Sequence, residues 1–402
     1  MKMNIGIFFA IAAVAASVLF IELLLHVACA LFAIPVLEPD KVVNMMVDDP
    51  VLEYKGNPAY PDHDRNGFRN PAIPSSADII VLGDSQSYGV NAPSDASWPR
   101  LLERKLKSSV YNMSFGSYSA ATYLLLIDRA FAFKPRIILA TVYTGNDLGE
   151  AYLFAFPKAR SLHLRSNDPL VLRNIADIES KEPLLKRVTT LFNKGTVNER
   201  PIKPLPRFLL RNSKIYVLVR AAKWGIEDRL RKKTSMWDLS KQKADDAPQS
   251  FQVFEQGAFK TIFCSESRLS VLKLDDPRIK EGLRICLEAL WSINTRCREK
   301  GIAFVVVGIP TKEFVFKDLA LEQLKNTHPY PELIANEMLV WKEIKEFLEQ
   351  EKITFIDCLV PLQSVLKGSL QPYSQNGDGH PNAIGYEAIA TSVAESLKTG
   401  FH

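Results

Sequence analysis

Five short apolar runs, most of them followed by an amphipathic helical pattern, constrain this 402-residue chain more than any other feature. They are DIIVLGDS (78–85), VYNMSFG (110–116), RIILATVYTGND (136–147), IAFVVVGIP (302–310) and ITFIDC (353–358). Runs this short and this apolar suit strands buried on both faces, as in a parallel sheet. Between and after them lie helical patterns: SWPRLLERKLKSS, SAATYLLLIDRAFAF, RIKEGLRICLEALWSINTRCREKG, PELIANEMLVWKEIKEFLEQE and NAIGYEAIATSVAESLKT. Strands alternating with helices imply right-handed β-α-β units and one doubly wound α/β sheet of five strands. The rhythm stops near Glu150 and resumes near Asp275, so residues 151–275 read as an insertion.

From Ile5 to Ile34 the only charged or strongly polar residues are Ser17, Glu22 and His26. A helix over that span reaches about 45 Å at about 1.5 Å per residue, more than a bilayer core of about 30 Å requires. A secretory h-region runs only about 7 to 15 residues, which favours an uncleaved anchor over a signal peptide, although Ala28 and Ala30 offer a small-residue site. Lys2 precedes the span and Glu38, Asp40, Asp48 and Asp49 follow it, so the N-terminus is expected in the cytoplasm and the rest exported. Glu22 and His26 share a helix face and are expected to pair or to sit near an interface. The expected organisation is an anchor and the start of a tether over 1–40, then a single domain over 41–402 carrying the insertion. The tether, polar and rich in proline, runs from Pro35 to about Pro61.

Residues 186 to 233 hold 14 Lys or Arg against 3 acidic residues, in a chain whose net charge is only +5. Such a patch suits anionic lipid headgroups or an acidic polysaccharide, and equally an ordinary solvated surface. Nucleic acid is not expected for an exported chain without a nucleic-acid-binding motif. The five cysteines have no CxxC spacing, so neither a zinc site nor a disulfide framework is read from them, and no metal or cofactor is called for.

Ser85 stands at the mouth of the first strand, where open α/β sheets bind ligands. A serine needs a base within hydrogen-bond reach, a group orienting that base, and donors for an oxyanion. With His26 in the span and His402 at the terminus, the candidate bases are His63, His163, His328 and His380. His380 lies in NGDGHPNAIGY, two residues after Asp378, on a glycine-containing turn where a carboxylate can accept from the ring Nδ1–H while Nε2 faces a serine. Gly116 follows the second strand, where a backbone N–H can point into a cleft. Asn146 follows the third, where its amide can donate to the same oxyanion. Lys312 and Glu313 follow the fourth strand and read either as substrate-binding groups or as an ion pair fixing the loop. Arg65 and Arg69 read mainly as solvated.

The blocks Gly83-Asp84-Ser85, Gly116, Gly145-Asn146-Asp147 and Asp378-Gly379-His380 together resemble the SGNH (GDSL-type) hydrolase superfamily, over about 75–150 and 280–398. The resemblance implies a three-layer α/β/α sandwich with a flavodoxin-like five-stranded parallel sheet. It also implies Ser85 as nucleophile, His380 as base and Asp378 as its orienter, with Ser85, Gly116 and Asn146 forming the oxyanion hole. One residue separates Asp378 from His380, where the commoner pattern has two. The shorter spacing, with DRNGFRN and IPTKEFVF, looks like the membrane-associated branches that acetylate polysaccharides, including alginate acetylation proteins. By that resemblance the chain is expected to be an exported, membrane-anchored serine esterase acting on O-acetyl groups of a carbohydrate, with a lipid ester as the other substrate class. O-acyl transfer through the same residues, and a non-catalytic role with polysaccharide-assembly partners, stay open.

Overall fold

The structure is a computed structural model that describes residues 5–32, 44–195, 213–231 and 235–400. In chain order the elements begin with α1 (Ile5–Phe32), β1 (Met46–Asp49), β2 (Glu53–Gly56), β3 (Ile79–Leu82), α2 (Ser85–Tyr88), α3 (Trp98–Leu106) and β4 (Val110–Asn112). Next come α4 (Ala120–Phe131), β5 (Ile137–Tyr143), α5 (Asp147–Ala155), α6 (Pro169–Lys181), α7 (Leu184–Gly195), α8 (Lys214–Arg231) and α9 (Met236–Asp245). The hairpin β6 (Gln252–Gln256) and β7 (Phe259–Phe263) leads to α10 (Ser265–Leu269), α11 (Pro277–Glu299) and β8 (Ala303–Ile309). The chain closes with α12 (Lys312–Val315), α13 (Lys317–Leu324), α14 (Tyr330–Gln350), β9 (Thr354–Asp357), α15 (Leu359–Lys367) and α16 (Ala383–Gly400).

Two compact units emerge: residues 1–44 with 198–235, and residues 45–197 with 236–402. In the larger unit, β4, β3, β5, β8 and β9 lie side by side in that order, all parallel. By chain position the order is 2-1-3-4-5, the flavodoxin-like arrangement, whose switch point falls between β3 and β5. Successive strand residues feed opposite faces. Ile80, Leu82, Ile138 and Ala140 pack with α4, α5 and α11, while Ile79, Val81, Leu139 and Val305 pack with α3 and α16. Both faces are therefore covered, which is why every residue of β3 and β5 is buried.

The tether expected over 35–61 is only partly a tether. Residues 33–43 lie outside the described residues, but β1 and β2 pair antiparallel, with Met46 opposite Gly56 and Asp49 opposite Glu53. Asp49 accepts from the backbone N–H groups of Val51 and Leu52, both at 3.0 Å, and closes the turn. Strands of four mostly half-exposed residues carry no clear apolar period, so the pattern hid them. The insertion is likewise not one block: its flanks belong with the sheet and residues 198–235 with the N-terminal unit.

In the smaller unit, the stretch Ala13–Phe32 of α1 has a mean hydropathy of 2.3 and is long and apolar enough to cross a membrane. Glu22 meets His26 at 3.4 Å, as the four-residue spacing suggested. Its carboxylate also accepts from Ser213 Oγ at 3.0 Å, from the Ile215 N–H at 3.1 Å and from the Lys214 N–H, which caps the first turn of α8. Val217 of α8 is buried against Cys29 and Leu25. All five cysteines are free thiols.

A buried carboxylate ties the central strands together at the C-terminal edge of the sheet. Glu337 of α14 accepts from Thr144 Oγ1 at 2.6 Å, from the Thr311 N–H at 2.8 Å and from Thr311 Oγ1, joining the ends of β5 and β8. Burial pushes Glu337 up to about 7 from the ordinary 4.5, against the pull of the Thr144 and Thr311 hydrogen bonds. The folded chain then holds this proton more tightly than the unfolded chain, so the contribution of this group to stability falls as pH rises from about 4.5 to 7, by at most about 1.4 kcal/mol per pH unit. Urea unfolding of wild type and Glu337→Gln at stepped pH is expected to show a shallower decline in the variant, the difference between the two curves changing between about pH 4.5 and 7. An unchanged slope in the variant would contradict this assignment.

Candidate active site

Gly83 ends β3 in a space that only a glycine fills: an added Cβ would lie 2.4 Å from Ser87 Oγ and 2.7 Å from Thr141 Oγ1. The chain then turns at once into α2. Asp84 caps this short helix, accepting from the Gln86 N–H at 2.9 Å, and Gly89 closes it in the left-handed conformation at φ +84°. Ser85 is thereby fixed at the first helical position, half-buried, at the C-terminal edge of the sheet.

The histidine arrives from the opposite end of the chain. His380 Nε2 lies 2.8 Å from Ser85 Oγ, and His380 Nδ1 lies 2.6 Å from Asp378 Oδ1. The same Asp378 oxygen accepts from the His380 N–H at 2.9 Å, so the carboxylate holds both the ring and the backbone of its partner. Burial by itself would raise Asp378. The hydrogen bond from the His380 ring, its charge, the His380 N–H and the Lys312 ammonium outweigh it and hold the carboxyl well below the ordinary 3.8. Ser85, His380 and Asp378 therefore form one continuous hydrogen-bonded chain. Ser85 Oγ also lies 3.4 Å from Asp84 Oδ2, and burial raises that carboxyl above its ordinary value.

Gly116 and Asn146 follow β4 and β5, the two strands that flank β3. Neighbouring strands are about 4.8 Å apart, so all three strand ends open on one edge. No atom lies within 4 Å of where a Gly116 Cβ would stand. Tyr54 donates its hydroxyl to the Gly116 carbonyl at 3.3 Å. Asn146 caps α5, and its buried Oδ1 has no hydrogen-bond partner, so its amide is not committed to holding the helix. The loop around it is pinned from three sides. Asp147 Oδ2 accepts from the Tyr143 N–H at 2.9 Å, the Gly145 carbonyl accepts from Arg268 at 3.0 Å, and Thr144 is held by Glu337. Burial, with the nearby Asp84 carboxylate, raises Asp147 well above the ordinary carboxyl range.

Lys312 and Glu313 stand where the sequence put them, after β8, but neither reaches substrate. They are 0% and 1% exposed. The Lys312 ammonium donates to the carbonyls of Ile262, Asn376 and Asp378, and Glu313 Oε1 accepts from the Cys264 N–H at 2.8 Å. The expectation of substrate binding is corrected: both side chains are buried inside the protein, Lys312 held behind the Asp378 turn and Glu313 against the Cys264 N–H, with Glu313 Oε2 left without a hydrogen-bond partner. Arg69 is not simply solvated either. It reaches the carbonyls of Gly89 and Ala92 at 2.7 and 3.1 Å and lies over the Tyr88 ring, bracing the exit of α2. His63 is no base for Ser85, since its ring bonds Tyr88 Oη and the Asn57 carbonyl, both at 2.9 Å.

The sequence reading passed over the structural duty of DRNGFRN. Asp64 accepts from the N–H groups of Asn66 and Phe68, from Asn70 Nδ2 and from Tyr111 Oη. Asn70 exchanges two hydrogen bonds with the main chain of Asn112, at 2.9 and 3.1 Å, and so locks this loop to the end of β4. An Asp-x-Asn-Gly turn, with the Asp two to four residues ahead of the N–H groups that donate to it, is the signal that would have found it.

No family model and no curated protein matches the chain. Among solved structures it is similar to a member of the lipolytic protein G-D-S-L family from Veillonella parvula, at 10% identity and a TM-score of 0.36, covering 80% of this chain and 97% of that one. It is also similar to a GDSL-like lipase from Bacteroides thetaiotaomicron, at 7% identity and TM-score 0.33, covering 80% and 88%. A third is an acetylxylan esterase from Geobacillus stearothermophilus, at 10% identity and TM-score 0.36, covering 82% and 97%.

The two glycines at this edge make a sharp contrast. Gly83→Ala is expected to cost about 1–3 kcal/mol of stability through overpacking, whereas Gly116→Ala should stay within about 0.5 kcal/mol. Urea unfolding of the two variants checks this, and equal midpoints would contradict the packing described.

Proposed function

We propose that the protein is a serine esterase of SGNH type that cleaves ester-linked acyl groups. The observation that carries this reading is the unbroken Asp378–His380–Ser85 hydrogen-bonded chain, at 2.6 and 2.8 Å, at the switch point of a parallel sheet. Ser85 Oγ attacks the acyl carbonyl while His380 Nε2 takes its proton, and Asp378 stabilises the imidazolium that forms. The N–H groups of Ser85 and Gly116 and the Asn146 amide serve the oxyanion. The tetrahedral intermediate collapses as His380 returns its proton to the departing alcohol, leaving an acyl ester on Ser85. Water, deprotonated by His380, then attacks that ester, and His380 returns the proton to the departing Ser85 Oγ as the carboxylic acid is released. A hydroxyl acceptor reaching the acyl-enzyme first gives O-acyl transfer through the same atoms.

The finer reading is an O-acetyl group on a carbohydrate, supported by the one-residue Asp378–His380 spacing and its likeness to anchored polysaccharide-acetylating branches. The apolar α1 supports anchoring, with the N-terminus cytoplasmic and the esterase domain on the outer side of the membrane. A lipid ester is the competing substrate class.

Full-length protein in detergent is expected to react with a fluorophosphonate probe, and Ser85→Ala and His380→Ala to abolish the labelling. Asp378→Asn should slow turnover of an aryl acetate by about 10³- to 10⁴-fold, because the ring loses its tautomer and orientation. Folded wild-type protein that stays unlabelled and does not turn over the ester would overturn the esterase reading.

A further inference from the structure

The catalytic turn is not held only by the sheet that carries Ser85. Residues 371–378 are stitched to the insertion hairpin: Gln371 Oε1 accepts from the Lys260 N–H at 3.0 Å, the Asn376 carbonyl from the Ile262 N–H at 3.3 Å, and the Gly377 carbonyl from Cys264 Sγ at 3.0 Å. Two buried cations complete the frame. Lys312 spends all three ammonium protons on main-chain carbonyls: Ile262 at 2.8 Å on the insertion side, then Asn376 at 2.8 Å and Asp378 at 2.9 Å on the catalytic side. Arg268, from α10 of the insertion, donates to the Gly145 carbonyl and lies over the Tyr143 ring, 5.5 Å from its centroid. Its guanidinium also occupies the space beside Gly379, where an added Cβ would come within 2.6 Å of Nη2. Arg268 therefore touches both the loop that presents Asn146 and the residue between Asp378 and His380.

We propose that the insertion is a working part of the site, and that Lys312 and Arg268 are positioning residues that hold the Asp378–His380 turn and the Gly145–Asn146 loop in register with Ser85. The inference rests on the esterase reading for its kinetic consequence and on geometry alone for its structural one. Neither cation touches substrate. Buried charges of this kind are poor investments in stability, since apolar replacements are often neutral or better. What they fix is direction: each ends on a carbonyl within one residue of a reacting or oxyanion-binding group. The proposal also explains why a single glycine separates Asp378 from His380, since any side chain there would displace the Arg268 guanidinium.

The test uses the full chain in detergent, with Lys312→Met, Arg268→Met and the milder Arg268→Lys. Thermal unfolding establishes which variants are folded at the assay temperature. For folded variants, kcat on an aryl acetate should fall by up to about 10²-fold for the two methionine changes, the cost of roughly 1 Å of misplacement. KM should hold within about threefold, since neither residue contributes ground-state binding. Arg268→Lys should recover part of the loss by keeping a donor for Gly145. A second readout needs no turnover: the far-downfield proton resonance of the His380 Nδ1–H bound to Asp378 should shift or vanish in the methionine variants. If wild type is inactive, the esterase reading fails, and this resonance still decides the positioning claim. A kcat within about twofold of wild type in folded variants, or an unchanged resonance, overturns the proposal.

Discussion

The order of β4, β3 and β5 governs everything else in the site. Reversal of strand order between β3 and β5 sends their following helices to opposite faces of the sheet and leaves a crevice at the shared edge. The residues that leave those strands are delivered to that crevice: Ser85 after β3, Gly116 after β4, Asn146 after β5. Doubly buried strands make the edge rigid, because their packing on both faces leaves no freedom to tilt. Only His380 has no strand to ride on. His380 comes from a loop between α15 and α16, which is why its position needs the insertion hairpin, Lys312 and Arg268 as well as Asp378.

Ionisable groups collect behind that edge to an unusual degree. Asp84, Asp147, Glu337, Lys312 and Glu313 are all essentially buried, and each of them holds main-chain groups of a loop that feeds the site. Burial opposes the charged form in every one whose titration is displaced, raising Asp84, Asp147 and Glu337 and lowering Lys312. A chain selected for stability alone gains little from such groups. Asp84, Asp147 and Glu337 orient main-chain groups at the ends of β3, β5 and β8, while Lys312 and Glu313 hold those of the Asp378 turn and the end of β7, an edge at which an acyl-transfer site requires fixed dipoles.

Strands β3, β5 and β8 were legible because burial on both faces leaves runs of four to seven mostly apolar residues, whereas the three-residue β4 and the partly exposed β9 were legible by their place in the alternation with helices. Ser85, Asp378 and His380 were legible because their spacing and residue types fit one chemistry, and the structure brings those three into hydrogen-bond contact. Lys312 and Glu313 were found by position, with substrate binding and loop fixing both open, and the structure has each of them holding main-chain groups. A charged pair after a strand looks the same in sequence whether it faces the crevice or the layer beneath, and only the insertion hairpin decides. Arg268 was out of reach altogether, since its partners Gly145 and Gly379 lie more than a hundred residues away on either side. The β1–β2 hairpin and the division of the insertion between two units escaped for a related reason: half-exposed four-residue strands and basic helices carry little periodic signal about what they pack against.

The most direct test of the account is detection of the acyl-enzyme itself. Full-length protein mixed with an acetyl ester, quenched in acid within the first turnover and digested, should yield the peptide bearing Ser85 with one acetyl group attached. That adduct should be lost on longer incubation without ester and be absent from His380→Ala. An acetyl group on another residue, or turnover of the ester with no adduct at Ser85 under conditions where deacylation is slowed, would contradict the claim that Ser85 is the nucleophile.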